Sequence, residues 1–372
     1  ELGLRGVLGW SADPVLALFL GGFTLSAAAS RYGIDSWITR HAVRLSRGRR
    51  LALLALAILA TATLSMWMSN IAAAAMMIAA LHPLFAGMPL DDRFRRALLV
   101  GVAVGANFGG IATPIGTGPN AIAIAALAPS YPITFLSWMV FALPLALGLS
   151  AAGFLLLALR FRVAGVARLP ELAGQAPAGR ARWVVLVFAA TVAAWLTEPL
   201  HGAPSPLVAL LATAVLFGSG LLERQDLARI DWSTLLLIAG GIGLGNLFEQ
   251  SGLVGGAAGL IPWAEVPDFV RTLLLCLASA LLSAVMSNTA TATMLIPLVA
   301  SFDPSPATAI LIALAASLGI LFAISTPPNA MVYGEGGIQS SDFLVPGLTL
   351  MILGCLLLSA TGPAVLRFVG IP

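Results

Sequence analysis

The sequence predicts an all-α polytopic membrane protein folded as an inverted repeat, with two re-entrant hairpins and two broken transmembrane helices. Three observations carry that prediction. Hydrophobic residues fill 59% of the 372 positions and charged residues 9%, a balance suited to a chain solvated by lipid rather than water. Stretches long enough to cross a hydrocarbon layer of ~30 Å recur from end to end. A polar string in the first half also returns, nearly letter for letter, in the second.

The apolar stretches are 15–30, 51–81, 97–127, 135–159, 183–200, 207–222, 233–248, 272–300, 307–332 and 343–366. They are continuously apolar instead of alternating, which predicts helices and excludes a barrel. Cys276 and Cys355 lie inside such stretches, where cysteine serves as a small hydrophobe, and the net charge of +3 carries no argument for nucleic acid.

Apart from three histidines, the basic side chains are all arginine, and their placement sets orientation. Arg40, Arg44, Arg47, Arg49 and Arg50 share one connection. Arg93, Arg95 and Arg96 share the next, and Arg160, Arg162, Arg168, Arg180 and Arg182 a third. Placing these in the cytoplasm, with Arg224 and Arg229, leaves Arg5, Arg271 and Arg367 outside. That path requires 51–81 and 272–300 each to enter and leave on one side, as hairpins. It also puts the carboxyl-terminus outside.

The internal repeat settles the organisation. SMWMSNIAAAAMM, around Ser69 and Asn70, returns as SAVMSNTATATML around Ser287 and Asn288. Gly21-Gly22 answers to Gly240-Gly241, Gly33 to Gly252, and ATPIGTGPN ending at Asn120 to AISTPPN ending at Asn329. An odd number of spans between the copies points them in opposite directions, the plan of secondary transporters. Residues 1–160 form the first repeat, 161–182 a basic cytoplasmic linker, 183–230 scaffold helices of the second repeat, and 231–372 its hairpin, broken span and last helix. Two helices precede Asp231 but only twelve residues precede the equivalent Asp13, and the chain begins with Glu1. The repeat therefore leads us to expect at least two further amino-terminal scaffold spans.

Each hairpin carries a Ser-Asn pair among small residues, and each following span a Thr/Pro/Gly/Asn cluster. Pro114 and Pro119, then Pro327 and Pro328, remove backbone donors and break their helices. Freed carbonyls with Ser, Thr and Asn oxygens suit a partly dehydrated Na⁺, and helix amino-termini across each break suit an anion.

These residues resemble the divalent anion/sodium symporter family of di- and tricarboxylate and sulfate carriers. The likeness rests on MSNTATATMLIPL and STPPNAMVYGEGGI, on GGIATPIGTGPN and ITFLSWMVFALPL in the first repeat, and on WLTEPL at residues 195–200. It implies an elevator-type transporter, a homodimer in the bacterial cytoplasmic membrane, moving a C4 dicarboxylate such as succinate or malate with Na⁺. One Na⁺ site is implied at Ser65, Ser69, Asn70 and the Gly116 backbone, the other at Ser283, Ser287, Asn288 and the Ser325 backbone. The anion is implied to meet Asn70, Thr117, Gly118, Asn288, Thr289, Thr326 and the amide region around Pro327. Two positions depart from the pattern: Ile71 stands where a hydroxyl is expected and Gly118 where proline is usual.

Glu198 reads as a hydrogen-bonding group of the scaffold, and His41, His82 and His201 as interfacial residues. Asp268 and Arg271 are expected to cap the start of the second hairpin. Residues 34–50 read as an amphipathic surface helix whose arginines face phosphates, with a nearly uncharged counterpart at 253–270. A proton-coupled antiporter would place a carboxylate at mid-membrane, and neither broken span holds one. A membrane enzyme would need a nucleophile and a base at one depth, and the histidines are peripheral. Exchange or permeation of a dicarboxylate, sulfate or other oxyanion without Na⁺ is the alternative.

Overall fold

The computed structural model describes residues 13–128, 131–169, 178–251, 266–300 and 305–371, together with positions 9, 176 and 303. The described residues are helical, with a single isolated antiparallel bridge between Arg49 and Val166.

Helix α1 (Pro14–Arg31) starts behind Asp13, whose carboxylate accepts the Val15 amide at 2.8 Å. Gly33, at φ 65°, turns the chain into α2 (Ile34–Leu45). Asp35, Thr39, Ala42 and Val43 form the buried face of α2, at the spacing of an amphipathic helix. That helix is shorter than the 34–50 expected. Arg47 and Gly48 both take positive φ, and Arg50 already opens the next helix.

The first hairpin consists of α3 (Arg50–Ser65) and α4 (Asn70–Phe85), broken at 66–69 where the sequence places its Ser-Asn pair. The first broken span is α5 (Arg93–Gly109) with a 3-10 turn, an open stretch at 113–117, and α6 (Gly118–Leu127). Gly101, Gly105 and Gly109 recur every fourth residue on α5, and a side chain at any of them would strike Leu54, Ile58 or Ala62 of α3. This small-residue seam lets the two backbones touch. Helix α7 (Phe135–Arg160) completes the repeat. Then come α8 (Arg180–Leu196), the short α9 (Glu198–His201) and α10 (Ser205–Gly218), so the predicted 183–200 helix ends at Leu196.

The second repeat runs through α11 (Trp232–Ser251), hairpin α12 (Asp268–Val285) and α13 (Asn288–Ala300), broken span α14 (Pro306–Ala316) and α15 (Pro327–Gly334), and α16 (Ser340–Phe368). Corresponding pairs pack alike: α3 on α5 and α7, α12 on α14 and α16. Across the repeats the packing is reciprocal, since α4 meets α15 while α13 meets α6. Among the described residues, five helices are long and apolar enough to cross a membrane: Pro14–Arg31, Arg93–Ala112 with its 3-10 turn, Phe135–Arg160, Asp268–Val285 and Ser340–Phe368.

Side chains gather the arginine-bearing connections at one end of the molecule. Arg31 pairs with Glu223 and Asp226, Arg96 takes Asp342 through two nitrogens at 2.6–2.8 Å, and Arg95 donates to the carbonyls of Leu90, Glu335 and Gly336. Desolvation opposes ionisation of Asp226, yet the Glu223 amide and the Arg31 guanidinium hold its carboxyl below the usual carboxylate value. Asp268 and Arg271 do not cap α12, because Pro267 occupies the N-cap without a side-chain bond. They form an ion pair at 2.8 Å, and Arg271 also faces Asp303 at 3.4 Å. The counterpart expected at 253–270 lies largely outside the described residues.

Candidate functional site

Both hairpin tips are built by one local rule. Ser69 caps α4 by accepting the Ala72 amide at 3.3 Å, and Ser287 accepts the Ala290 amide at 3.1 Å at the start of α13. The asparagine that follows turns back onto the first arm. Ser65 donates to Asn70 Oδ1 at 2.7 Å, and Ser283 to Asn288 Oδ1 at 2.7 Å. Ser69 and Ser287, expected as cation ligands, each give one hydroxyl lone pair to a backbone amide and keep a second.

Ser65 Oγ also lies 2.6 Å from the Ala106 carbonyl. One hydroxyl proton faces two acceptors, so oxygen lone pairs are in surplus. Asn70 Oδ1 and the Gly116 carbonyl crowd Gly110 so closely that a Cβ there would strike both. Ser65, Asn70 and the Gly116 backbone are therefore brought together. In the second repeat Ser325 Oγ donates to the Ala284 carbonyl at 2.7 Å and accepts the Phe322 amide at 3.0 Å. Thr113 caps the equivalent Met66 carbonyl in the first repeat.

The breaks are held by two asparagines, Asn120 and Asn329, whose role is not apparent from the sequence. Asn120 Nδ2 donates to the carbonyls of Gly110, Ile111 and Thr113 at 2.7–3.3 Å. Asn329 Nδ2 donates to those of Ile320 and Phe322 at 3.3 and 2.9 Å. They satisfy carbonyls that the interrupted helices release. Their shared place at the end of each repeated string was the available signal. Asn107 of α5 donates to Asn329 Oδ1 at 3.0 Å, whereas Asn120 Oδ1 is buried without a partner among the described residues.

Between tips and breaks lies a cavity of about 580 Å³, a volume typical of small-ligand sites. It is lined by Ser69, Asn70, Gly116, Thr117 and Gly118 from the first repeat and by Ser287, Asn288, Thr289, Ser325, Thr326 and Pro327 from the second. Ser65 and Ser283 sit behind it, fully buried. Phe19 and Phe23 of α1 and Leu237 of α11 supply apolar wall. Among the described residues no arginine or histidine lines it, and the one charged lining residue is Asp231, whose carboxylate accepts the Thr234 amide and hydroxyl at 3.0 and 2.8 Å. In sequence Asp231 was only the partner of Asp13.

Both departures from the family pattern fall on this cavity. Ile71 lines it, 43% exposed, with no donor. A Cβ at Gly118 would collide with Thr289 Oγ1, so glycine here is what lets Thr289 approach. The expected amide region around Pro327 needs correction: Pro327 and Pro328 carry no amide hydrogen, and the Asn329 amide faces Thr326 Oγ1 at 3.4 Å. Thr326 keeps its hydroxyl proton, and Gly118 its amide.

The other polar groups stay peripheral. Trp195 Nε1 donates to the Ser205 carbonyl at 3.0 Å, and the Ser205 hydroxyl donates to Glu198, which accordingly serves the turn between α8 and α10. Trp195 also stacks on Phe135, which stacks on Trp67 of the first hairpin. His41 stacks on Trp37, His82 faces Glu335 at 3.6 Å, and His201 meets the Ala194 carbonyl.

The model of the family described as "Citrate transporter" matches residues 2–315. An uncharacterized transporter of Haemophilus influenzae is 29% identical, over 94% of this chain and 80% of that protein. The inorganic phosphate transporter PHO87 of Saccharomyces cerevisiae is 30% identical over 92% of this chain but 38% of its own length. Sodium-dependent low-affinity dicarboxylate transporter 1 of Caenorhabditis elegans is 28% identical over 73% of this chain and 55% of its own. The chain thus spans less than two thirds of these two relatives. Among solved structures, the YdaH transporter of Alcanivorax borkumensis shares the fold, with a TM-score of 0.66 at 18% identity over all of this chain and 90% of that one.

Proposed function

Because this chain belongs to the citrate transporter family, we propose that it couples Na⁺ to the movement of a small divalent anion, a C4 dicarboxylate such as succinate or malate, across the bacterial cytoplasmic membrane. One observation carries the reading: among the described residues the central cavity offers hydroxyls, amides and oxygen clusters but no cationic side chain. A dianion there has no protein counter-charge, and a single cation about 5 Å away contributes roughly 3 kcal/mol for each unit of anionic charge at an effective dielectric of 20. Co-bound Na⁺ supplies that charge and links the two gradients.

In this reading Ser65, Asn70 and the Gly116 carbonyl hold one Na⁺, and Ser283, Asn288 and the Ser325 backbone hold the other. Ser69 and Ser287 keep the tips in shape. Asn70, Thr117, Asn288, Thr289, Thr326 and the Gly118 amide face the anion. The hairpins and broken spans move together, as an elevator, against scaffold helices that include residues 183–230, within a homodimer. The dicarboxylate transporter of Caenorhabditis elegans, sodium-dependent by name, supports the coupling.

A second reading, oxyanion exchange or permeation without Na⁺, is favoured by Ile71, which removes a hydroxyl from the cavity, and by the phosphate-transporting relative. Uptake of labelled succinate, malate, citrate, sulfate and phosphate into proteoliposomes, with Na⁺ or K⁺ outside, separates the two. Succinate or malate uptake only under a Na⁺ gradient is expected. Equal uptake in K⁺ medium overturns the coupling, and uptake of phosphate alone overturns the substrate.

A further inference from the structure

Away from the cavity, at the end of the molecule where the arginine-bearing connections meet, lies a recess of about 320 Å³ lined by Arg93, Arg96, Arg160, Phe161, Arg162 and Asp342. Three elements build it: the first turn of α5, the end of α7 and the first turn of α16. Four guanidiniums face one carboxylate, and that carboxylate is already committed to Arg96.

Two of the guanidiniums are fixed in place. Arg96 is held by Asp342 and lies 5.5 Å from the Phe161 ring centroid, while Arg160 lies 5.9 Å from the same centroid and donates to the Ser341 carbonyl at 2.9 Å. Arg93 and Arg162 are exposed and have no side-chain partner among the described residues. Orientation by topology alone asks only that arginines lie on this side. It does not ask that they converge on one concavity with donors to spare.

Directly along α7 from Arg160, Leu155 and Leu159 stand 58% and 77% exposed, one helical turn apart. On α16, which packs against α7, Leu344, Leu348 and Ile352 are also exposed, one turn after another. A phosphoryl group in the recess would therefore have an apolar track running away from it into the bilayer. Guanidinium forks match phosphate oxygens in pairs, and basic pockets between membrane helices on the cytoplasmic side suit anionic head groups.

We propose that this recess is a binding site for the phosphoryl head group of an anionic phospholipid, whose acyl chains lie along α7 and α16. The test uses the whole purified, delipidated protein in detergent, titrated with phosphatidylglycerol, cardiolipin, phosphatidylcholine or inorganic phosphate and read by native mass spectrometry. Arg93→Gln/Arg162→Gln is the variant, since neither side chain has a partner to lose among the described residues. Arg40→Gln/Arg182→Gln is the matched control for lost charge. Binding of the two anionic lipids should weaken roughly thirtyfold in the variant, each cation being worth about fivefold near an anionic head group. The control and phosphatidylcholine should show little change. Equal lipid binding by variant and wild type, or equal loss in the control, overturns the site. Inorganic phosphate that binds at the recess without lipid, is lost in the variant and displaces phosphatidylglycerol would assign the site to free phosphate and overturn the lipid.

Discussion

Replacing Gly118 with alanine adds one methyl group at a close approach between the repeats, on the wall of the central cavity. Its Cβ would lie against Thr289 Oγ1, 3.0 Å from Cγ2 and 3.1 Å from Cβ. Because all three Thr289 atoms stand in the way, rotation of its stiff, β-branched side chain does not clear the methyl, and the second hairpin tip must retreat. Overpacking of this kind costs about 1–3 kcal/mol, equivalent to a loss of roughly fivefold to over a hundredfold in apparent affinity if the retreat displaces the anion donors. The assay is the KM of anion uptake in proteoliposomes for Gly118→Ala, Thr289→Ala and the double variant, with detergent size-exclusion profiles to confirm folding. Thr289→Ala leaves only Cβ near the new methyl, so the second substitution should cost much less in that background. A wild-type KM for Gly118→Ala, or strict additivity in the double variant, would refute the argument that the two residues meet across the cavity.

Asn70→Ala and Asn288→Ala should each abolish Na⁺-driven uptake, since each removes an oxygen from a separate cluster; wild-type transport by either variant rules out paired cation sites. Asn120→Ala and Asn329→Ala leave buried carbonyls without donors, at about 1–3 kcal/mol for each unsatisfied group, and should lower the thermal midpoint in detergent, whereas an unchanged midpoint means that the breaks are held by other contacts. Single cysteines at Ala176 and Gly370, with the native Cys276 and Cys355 buried, should react with an impermeant reagent from the inside and the outside respectively. Equal labelling of both from outside breaks the inverted topology.

The hairpins and broken spans were legible because their signals are local. A Ser-Asn pair among alanines, or two prolines in an apolar run, interrupts a helix wherever it stands, and a second copy removes the ambiguity. Long-range relations were not legible. Asn107 of α5 has no polar counterpart in the repeat, yet it reaches Asn329 across it. Asp231 reads in sequence as an ordinary helix start, and only the packing of α11 on α6 and α13 brings it to the cavity. Ser65 and Ser69 look equivalent on paper, but Ser65 lies buried against Asn70 while Ser69 caps α4 at the cavity wall.

Ile71 and Gly118 look in sequence like two unrelated departures, and the fold makes them one. Thr289 answers to Ile71 in the repeat, and Pro327 to Gly118. Thr289 is seated over Gly118, so the hydroxyl that one hairpin keeps depends on the side chain that the other repeat's break gives up. The same exchange leaves a free amide at Gly118, while Pro327 and Pro328 provide none. Donors therefore concentrate where the second hairpin meets the first break, and the opposite corner holds Ile71 and two prolines. An anion with a carboxylate at each end would meet unequal partners. One end faces Thr289 and the Gly118 amide, and the other depends more on the Thr326 hydroxyl and on any cation held at the first tip. Ile71→Thr should thus add a donor at the poorer corner and strengthen binding of four-carbon dicarboxylates. Loss of transport in that variant, with Thr289→Val left at wild-type affinity, would move anion recognition to the first repeat.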